Sequence, residues 1–205
     1  MPPPPGSAFF RARKVDQRSD LSERAHQVQP EDTDTLERLF HVFNQLKKPE
    51  DARRALRRLR QLRPQDPQME VYELELIEIN NLDNCNRVLA GLEALQGKYP
   101  DDARVAERQA QMLGAITAYL KRLSRQIVEQ SARAASRVRR LPSYQEAWPE
   151  MKQYLRDLRS RLNRTRKTAL RGLPLATSES HRRDLHQIVQ QTSQEIDQCQ
   201  TMVKP

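Results

Sequence analysis

Apolar residues in this chain recur every three or four positions over long stretches, and no run alternates apolar with polar between hairpin turns. The longest such stretch runs from Asp102 to Arg140, without proline and with one glycine, and predicts a single helix about 57 Å long at 1.5 Å per residue. Val105, Met112, Ile116, Leu120, Leu123, Ile127, Ser131, Ala134, Val138 and Leu141 fall on one stripe of it. The helix cannot bury that stripe alone. Its flanks must supply the packing partners.

Both flanks read as helical pairs. Asp34 with Glu37 has the spacing of a capping box and opens a helix carrying Leu36, Leu39, Phe40, Phe43 and Leu46. Lys47 and Lys48 close it, and Pro49, Glu50 and Asp51 open a second helix with Ala52, Ala55, Leu56, Leu59 and Leu62 inside, ending at Pro64 and Pro67. A third helix is expected from Gln68 to Leu82, and a fourth from Asn84 to Lys98 with Val88, Leu92 and Leu95 on one face. Beyond the long helix, Leu141-Pro142 is a stop, and Ser143 with Glu146 repeats the capping-box spacing. A heptad-like, coiled-coil seam then follows: Tyr154 or Leu155, Leu158, Leu162, Thr165, Ala169. Gly172 and Pro174 end this helix, and Thr177 or Ser178 caps the last one, with Leu185, Ile188 or Val189, Thr192, Ile196, Cys199 and Val203 as its seam.

The predicted fold is all-α: helical hairpins over 34–103, the long helix over 102–140, and a C-terminal antiparallel hairpin over 143–205 packed on the long helix. Residues 1–30 open on four prolines and hold few apolar residues, and are expected to be a disordered tail. Phe9 and Phe10, followed by Arg11, Arg13 and Lys14, could dock or target that tail, against the alternative of a plain leader with two stray aromatics.

Pro67 and Pro100 sit thirty-three residues apart, each ending a helical pair. With Ala55, Leu59 and Leu62 before the first proline, Leu39, Val42 and Leu46 on the preceding helix, and Tyr72, Ile79, Val88, Leu92 and Leu95 before the second, residues 36–103 resemble the tetratricopeptide repeat. Phe43 and Leu76 stand where that family has small residues, and Val88 where it has alanine, so the angle between paired helices is expected to differ from the family's. Two repeats fall short of the three such arrays need, which makes the long helix the candidate first helix of a degenerate third repeat. The resemblance implies a concave groove for a partner segment, lined by Phe40, Asn44 and Lys47 from the first repeat and Glu73 and Asn80 from the second. Glu37, Lys48, Glu70, Ile77 and Asn81 complete its lining. Only Asn44 matches the family's clamp for C-terminal carboxylates, and Glu73 would repel an acidic tail. The competing account of Phe40 and Ile77 is that they are core.

Charge alters the picture more than composition does. Hydrophobic residues make up 37% of the chain and charged ones 31%, which suits thin helical layers. From Lys121 to Arg183 there are seventeen lysines and arginines against five acids, a net of +12, whereas the rest of the chain sums to −3. A surface of that kind attracts phosphate backbones, anionic lipid or acidic proteins. Arg156, Arg159, Arg164 and Lys167 are the candidate contacts. Together with Arg161, Arg166 and Arg171 they read as spread round their helix, so the alternative is a solvated arginine-rich helix.

Candidate chemistry adds nothing. His181 and His186 are five apart, off the four-residue step of a helical metal pair, and no P-loop, dinucleotide fingerprint or nucleophile-base pair is present. Cys85 and Cys199 fit neither a metal site nor a disulfide framework, which suggests a reducing compartment. No apolar run reaches membrane-spanning length. The expectation is a cytoplasmic, non-enzymatic scaffold or adaptor without cofactor or metal, binding a protein partner on its hairpins and open to self-assembly through its C-terminal helices. The alternative is an RNA- or DNA-associated protein acting through its basic bundle.

Overall fold

A computed structural model describes residues 32–140 and 148–203. The expected tail, the Leu141-Pro142 stop and the Ser143–Glu146 capping box lie outside the described residues. Seven helices and no strand occupy the described chain: α1 (Thr33–Gln45), α2 (Pro49–Leu62), α3 (Gln68–Glu75), α4 (Leu82–Lys98), α5 (Ala103–Arg140), α6 (Trp148–Gly172) and α7 (Glu179–Val203). They divide into two compact units, one ending at Glu78 and one beginning at Ile79.

In the N-terminal unit α1 and α2 pack side by side, and α3 follows on α2. Leu36, Leu39, Phe40, Ala52, Leu59, Met69 and Tyr72 enclose one apolar core. Helix α1 starts one residue after Asp32, not at Asp34: the Asp32 carboxylate accepts from the Asp34 and Thr35 amides and from the Thr35 hydroxyl. Those bonds, the Thr35 hydroxyl first, hold the Asp32 carboxyl below its ordinary value. Glu37, the expected partner of a capping box, instead accepts from the Tyr72 hydroxyl and faces Arg63. The third helix stops at Glu75 rather than Leu82. Ile77 and Ile79 are β-branched, and Asn81 leaves the helix for extended backbone where its side chain caps the Asn84 amide, so α4 begins at Leu82. The unit boundary falls between α3 and α4, the two helices aligned with the second repeat.

The C-terminal unit is built on α5, which runs unbroken for 38 residues. Asp102 caps it, accepting from the Arg104 and Val105 amides at 2.9 and 3.1 Å. Leu113, Ile116, Leu120 and Ile127 on its stripe are fully buried, each contributing about 1.5–3 kcal/mol by leaving water. Helices α6 and α7 pack on each other and both pack on α5, while α4 lies against α5 and α6. The seam uses Leu155 rather than Tyr154, which is 42% exposed. Thr117, Thr165, Thr168 and Thr192 are buried too; each hydroxyl donates to the carbonyl four residues earlier, so none of these four is stranded. Gly172 closes α6 where a Cβ would come within 3.3 Å of Leu185 and 3.5 Å of Leu113, so a side chain there would have to shift the Leu185 methyl by a few tenths of an ångström.

Lys47 is the one described non-glycine residue with positive φ, at 56°. It occupies the left-handed position that ends α1: its amide bonds to the Asn44 carbonyl at 3.1 Å and the Lys48 amide to the Phe43 carbonyl at 2.9 Å, the double bond of a Schellman ending. A Cβ there crowds the following carbonyl. Replacing Lys47 by glycine is expected to raise the stability of this unit by about 0.5–1 kcal/mol. The measurement is the urea midpoint at unchanged slope; a midpoint that falls contradicts the strain argument.

Candidate functional site

The groove candidates of the N-terminal unit are committed to its own architecture. Phe40 is fully buried, stacked on Tyr72 with ring centroids 4.7 Å apart and edge-on to His41 at 5.2 Å. It packs the core and presents no surface. Asn44 donates to the Glu75 carbonyl at 3.4 Å, and Glu73 pairs with Arg60 at 2.6 Å. Lys47 lies 3.7 Å from Glu78, with both side chains well exposed. Asn80 belongs to the C-terminal unit, where its side-chain oxygen accepts from Asn81 at 2.8 Å and Asn84 at 3.1 Å.

Helix α6 carries the charge, and its basic residues are not equivalent. Leu155, Leu158, Leu162, Thr165 and Ala169 set its inward face, which fixes where every other side chain stands. One flank is spoken for. Arg161 donates to the Gln130 side chain of α5 at 2.9 Å, and Arg164 pairs with Asp83 of α4 at 2.8 Å. Arg171 grips Glu93 of α4 with two parallel bonds of 2.8 and 2.7 Å, and reaches the Asn86 carbonyl at 3.3 Å. That fork holds the Glu93 carboxyl below its usual value.

Three of the basic residues of α6 have no such acceptor in the described chain. Arg156, Arg159, Asn163 and Lys167 follow the steps i, i+3, i+7 and i+11, which place them on one outward face. Among the described residues no carboxylate lies within ion-pair distance of Arg156, Arg159 or Lys167, and all three are exposed. Arg166 borders the same face, half-buried, with its Nε enclosed and unmatched by any acceptor of the described chain. Three guanidiniums of α6 thus meet acceptors on α4 and α5, while Arg156, Arg159 and Lys167 have no carboxylate partner among the described residues. Arg164, one of the candidate contacts, is engaged with Asp83 in an ion pair whose side chains both stay exposed.

The two thiols are free and buried. Burial pushes Cys85 up to about 11 and raises Cys199, whose bond to Ser131 and nearness to Arg159 work in the other direction. Neither is poised as a nucleophile. His181 lies against Gly114 of α5, while His186 is exposed, so the pair does not converge. No group of three or more His, Cys, Asp or Glu among the described residues could hold a metal ion, and no described helix is long and apolar enough to cross a membrane. No protein-family model matches the chain, and no curated protein matches it either.

Arg171→Met is expected to cost about 1 kcal/mol, at the upper end for exposed pairs because the contact is bidentate, whereas Arg156→Met should stay within about 0.5 kcal/mol. The Arg171–Glu93 contribution is present above the ordinary carboxylate value of about 4.3 and is lost as pH falls through the lowered folded value. Thermal melts of both variants at pH 7 and below pH 4 check this. Equal losses at pH 7 would remove the distinction between the two flanks.

Proposed function

We propose that this is a non-enzymatic binding protein whose C-terminal unit holds the phosphate backbone of a nucleic acid on the outer face of α6. One observation carries the reading: the unit neutralises Arg164 and Arg171 with its own carboxylates and leaves Arg156, Arg159 and Lys167 together on one face without any among the described residues. Like charges held side by side repel, and a polyanion relieves that repulsion while releasing its own condensed counterions. The two buried free thiols support a reducing compartment such as the cytoplasm.

Retention on heparin and on homopolymer RNA across a salt series tests the reading. Three phosphate contacts to single-stranded RNA give an affinity falling about 20-fold between 50 and 200 mM salt, from a slope of roughly −0.7 per contact. The triple variant R156E/R159E/K167E should lose retention. R122E/R125E, on the exposed side of α5, reverses two charges elsewhere and should keep most of it. Undiminished binding by the triple variant would overturn the proposal.

A second reading concerns the N-terminal unit, as a tetratricopeptide-like scaffold holding a protein segment. The packing of α1 on α2 through Leu39, Ala55 and Leu59, with Tyr72 of α3 in the same core, supports it, because these are positions the resemblance uses. With Phe40 enclosed, the polar side chains Asn44, Lys47 and Glu73 would do the gripping. N44A/K47A/E73A is expected to shed partners in a pull-down while remaining folded by circular dichroism. Full retention of every partner would exclude the groove.

A further inference from the structure

We infer that the phosphate-binding site of α6 is completed by α7, with Arg182 as the contact from the second helix, so that the nucleic-acid strand seats in the groove between them with Arg156, Arg159 and Lys167 along one side; this rests on the phosphate-binding reading above. Helices α5, α6 and α7 pack pairwise, so α6 and α7 each have one flank toward α5 and one toward each other. Arg161 of α6 turns to Gln130 of α5 at 2.9 Å, so Arg159 and Arg166, across the buried seam, border α7. Asp184 and Gln191 of α7 turn to Lys121 and Ser124 of α5 at 3.0 and 3.1 Å, so Arg182, Val189 and Ser193, across that helix's seam, border α6. Burial agrees: Arg166, Val189 and Ser193 are half-buried. Burial also raises the Cys199 thiol of α7, and the charge of Arg159 is near enough to act against it. Arg159 and Arg166 are seven residues apart, about 20° round the helix and about 10.5 Å along it, so they form one row beside the groove.

Nothing on α7 neutralises that row. Among its carboxylates Asp184 pairs with Lys121, and Glu179, Glu195 and Asp197 pair with no cation among the described residues. Arg166 meets no acceptor of the described chain either, so packing holds it in place and its terminal nitrogens keep their donors for a ligand. Arg182 donates to the Ala176 carbonyl at 2.9 Å, which fixes its guanidinium beside the turn that joins the helices and leaves its remaining donors unclaimed. Its neighbour Arg183 is equally exposed but lies about 100° further round α7, away from α6. A lone helix meets a strand from one side only. Two packed helices with axes about 8–10 Å apart hold cations on both sides of it, so each one adds a phosphate contact.

The experiment measures binding of a fluorescent homopolymer RNA to the full chain by anisotropy across a salt series. With Arg166 and Arg182 added to Arg156, Arg159 and Lys167, five contacts at a slope of roughly −0.7 each give a fall of about 130-fold between 50 and 200 mM salt, against about 20-fold for three. R182M is expected to flatten the slope by about 0.7, and R183M, which removes the same charge, to leave it unchanged. R182K keeps the charge and should keep the slope. A fall of about 20-fold that R182M does not alter overturns the groove while the reading of α6 stands. Equal effects of R182M and R183M overturn it too, since the charge of α7 then acts without a site. R182K behaving like R182M assigns Arg182 to holding the Ala176 turn and likewise overturns it. Phosphatidylserine vesicles should bind at least 10-fold more weakly than the RNA, because a flat bilayer cannot enter a groove, and the reverse order overturns the assignment. Undiminished RNA binding by R156E/R159E/K167E removes both the groove and the reading it rests on.

Discussion

The C-terminal unit depends on one constraint: the apolar stripe of a 38-residue helix has to be covered along most of its length. A helix that long gains little from its own hydrogen bonds and is held by what packs on it. Helix α4 covers part of the stripe, with Gln109 tying it in place through the Leu92 carbonyl at 3.1 Å. Helices α6 and α7 cover the rest. Because all three partners are amphipathic, burying their seams fixes their rotation, and with it the direction of every polar side chain they carry. The basic face of α6 is a product of that rotation.

Electrostatics then sorts what rotation has placed. A guanidinium at the rim of a helix-helix boundary stays partly hydrated and gains modestly from an acceptor on the neighbouring helix. At the boundary between α6 and α4 those acceptors are Asp83, Glu93 and the Asn86 carbonyl. Lys121 meets Asp184 in the same way between α5 and α7 at 3.0 Å. Acids are used for internal fastening in this unit, and its excess of positive charge is left on surfaces that no helix covers. A concentration of cations produced this way is a different thing from a uniformly basic surface, since it has a direction and a spacing.

The N-terminal unit shows the opposite disposition. Its acids and bases are close to balance and meet one another, as in Arg60 with Glu73, Arg63 with Asp34 and Lys47 with Glu78. Aromatic stacking does the central packing, with Phe40, His41 and Tyr72 in mutual contact and the Tyr72 hydroxyl bonded to Gln68 and Glu37. The residues that a groove would present are largely those that hold this small core together. Any partner would bind on side chains already engaged and would have to outcompete those contacts.

The sequence by itself determined the all-helical class, the extent of the long helix to within a residue, and the buried seams of α6 and α7, because these follow from apolar periodicity and from proline and glycine breaks, which act over one or two turns. It placed two boundaries wrongly, at Asp34 and at Leu82. There short polar side chains compete for backbone amides, and the winner, Asp32 or Asn81, depends on geometry that spacing does not encode. Only the tertiary structure decided that Phe40 is core, since an apolar residue at helical spacing reads the same beside a groove as beneath one. It alone separated the arginines of α6 into fastened and open sets. Asp83 and Glu93 lie some eighty residues from Arg164 and Arg171 in the chain, and ion pairs at that separation leave no local pattern to be read.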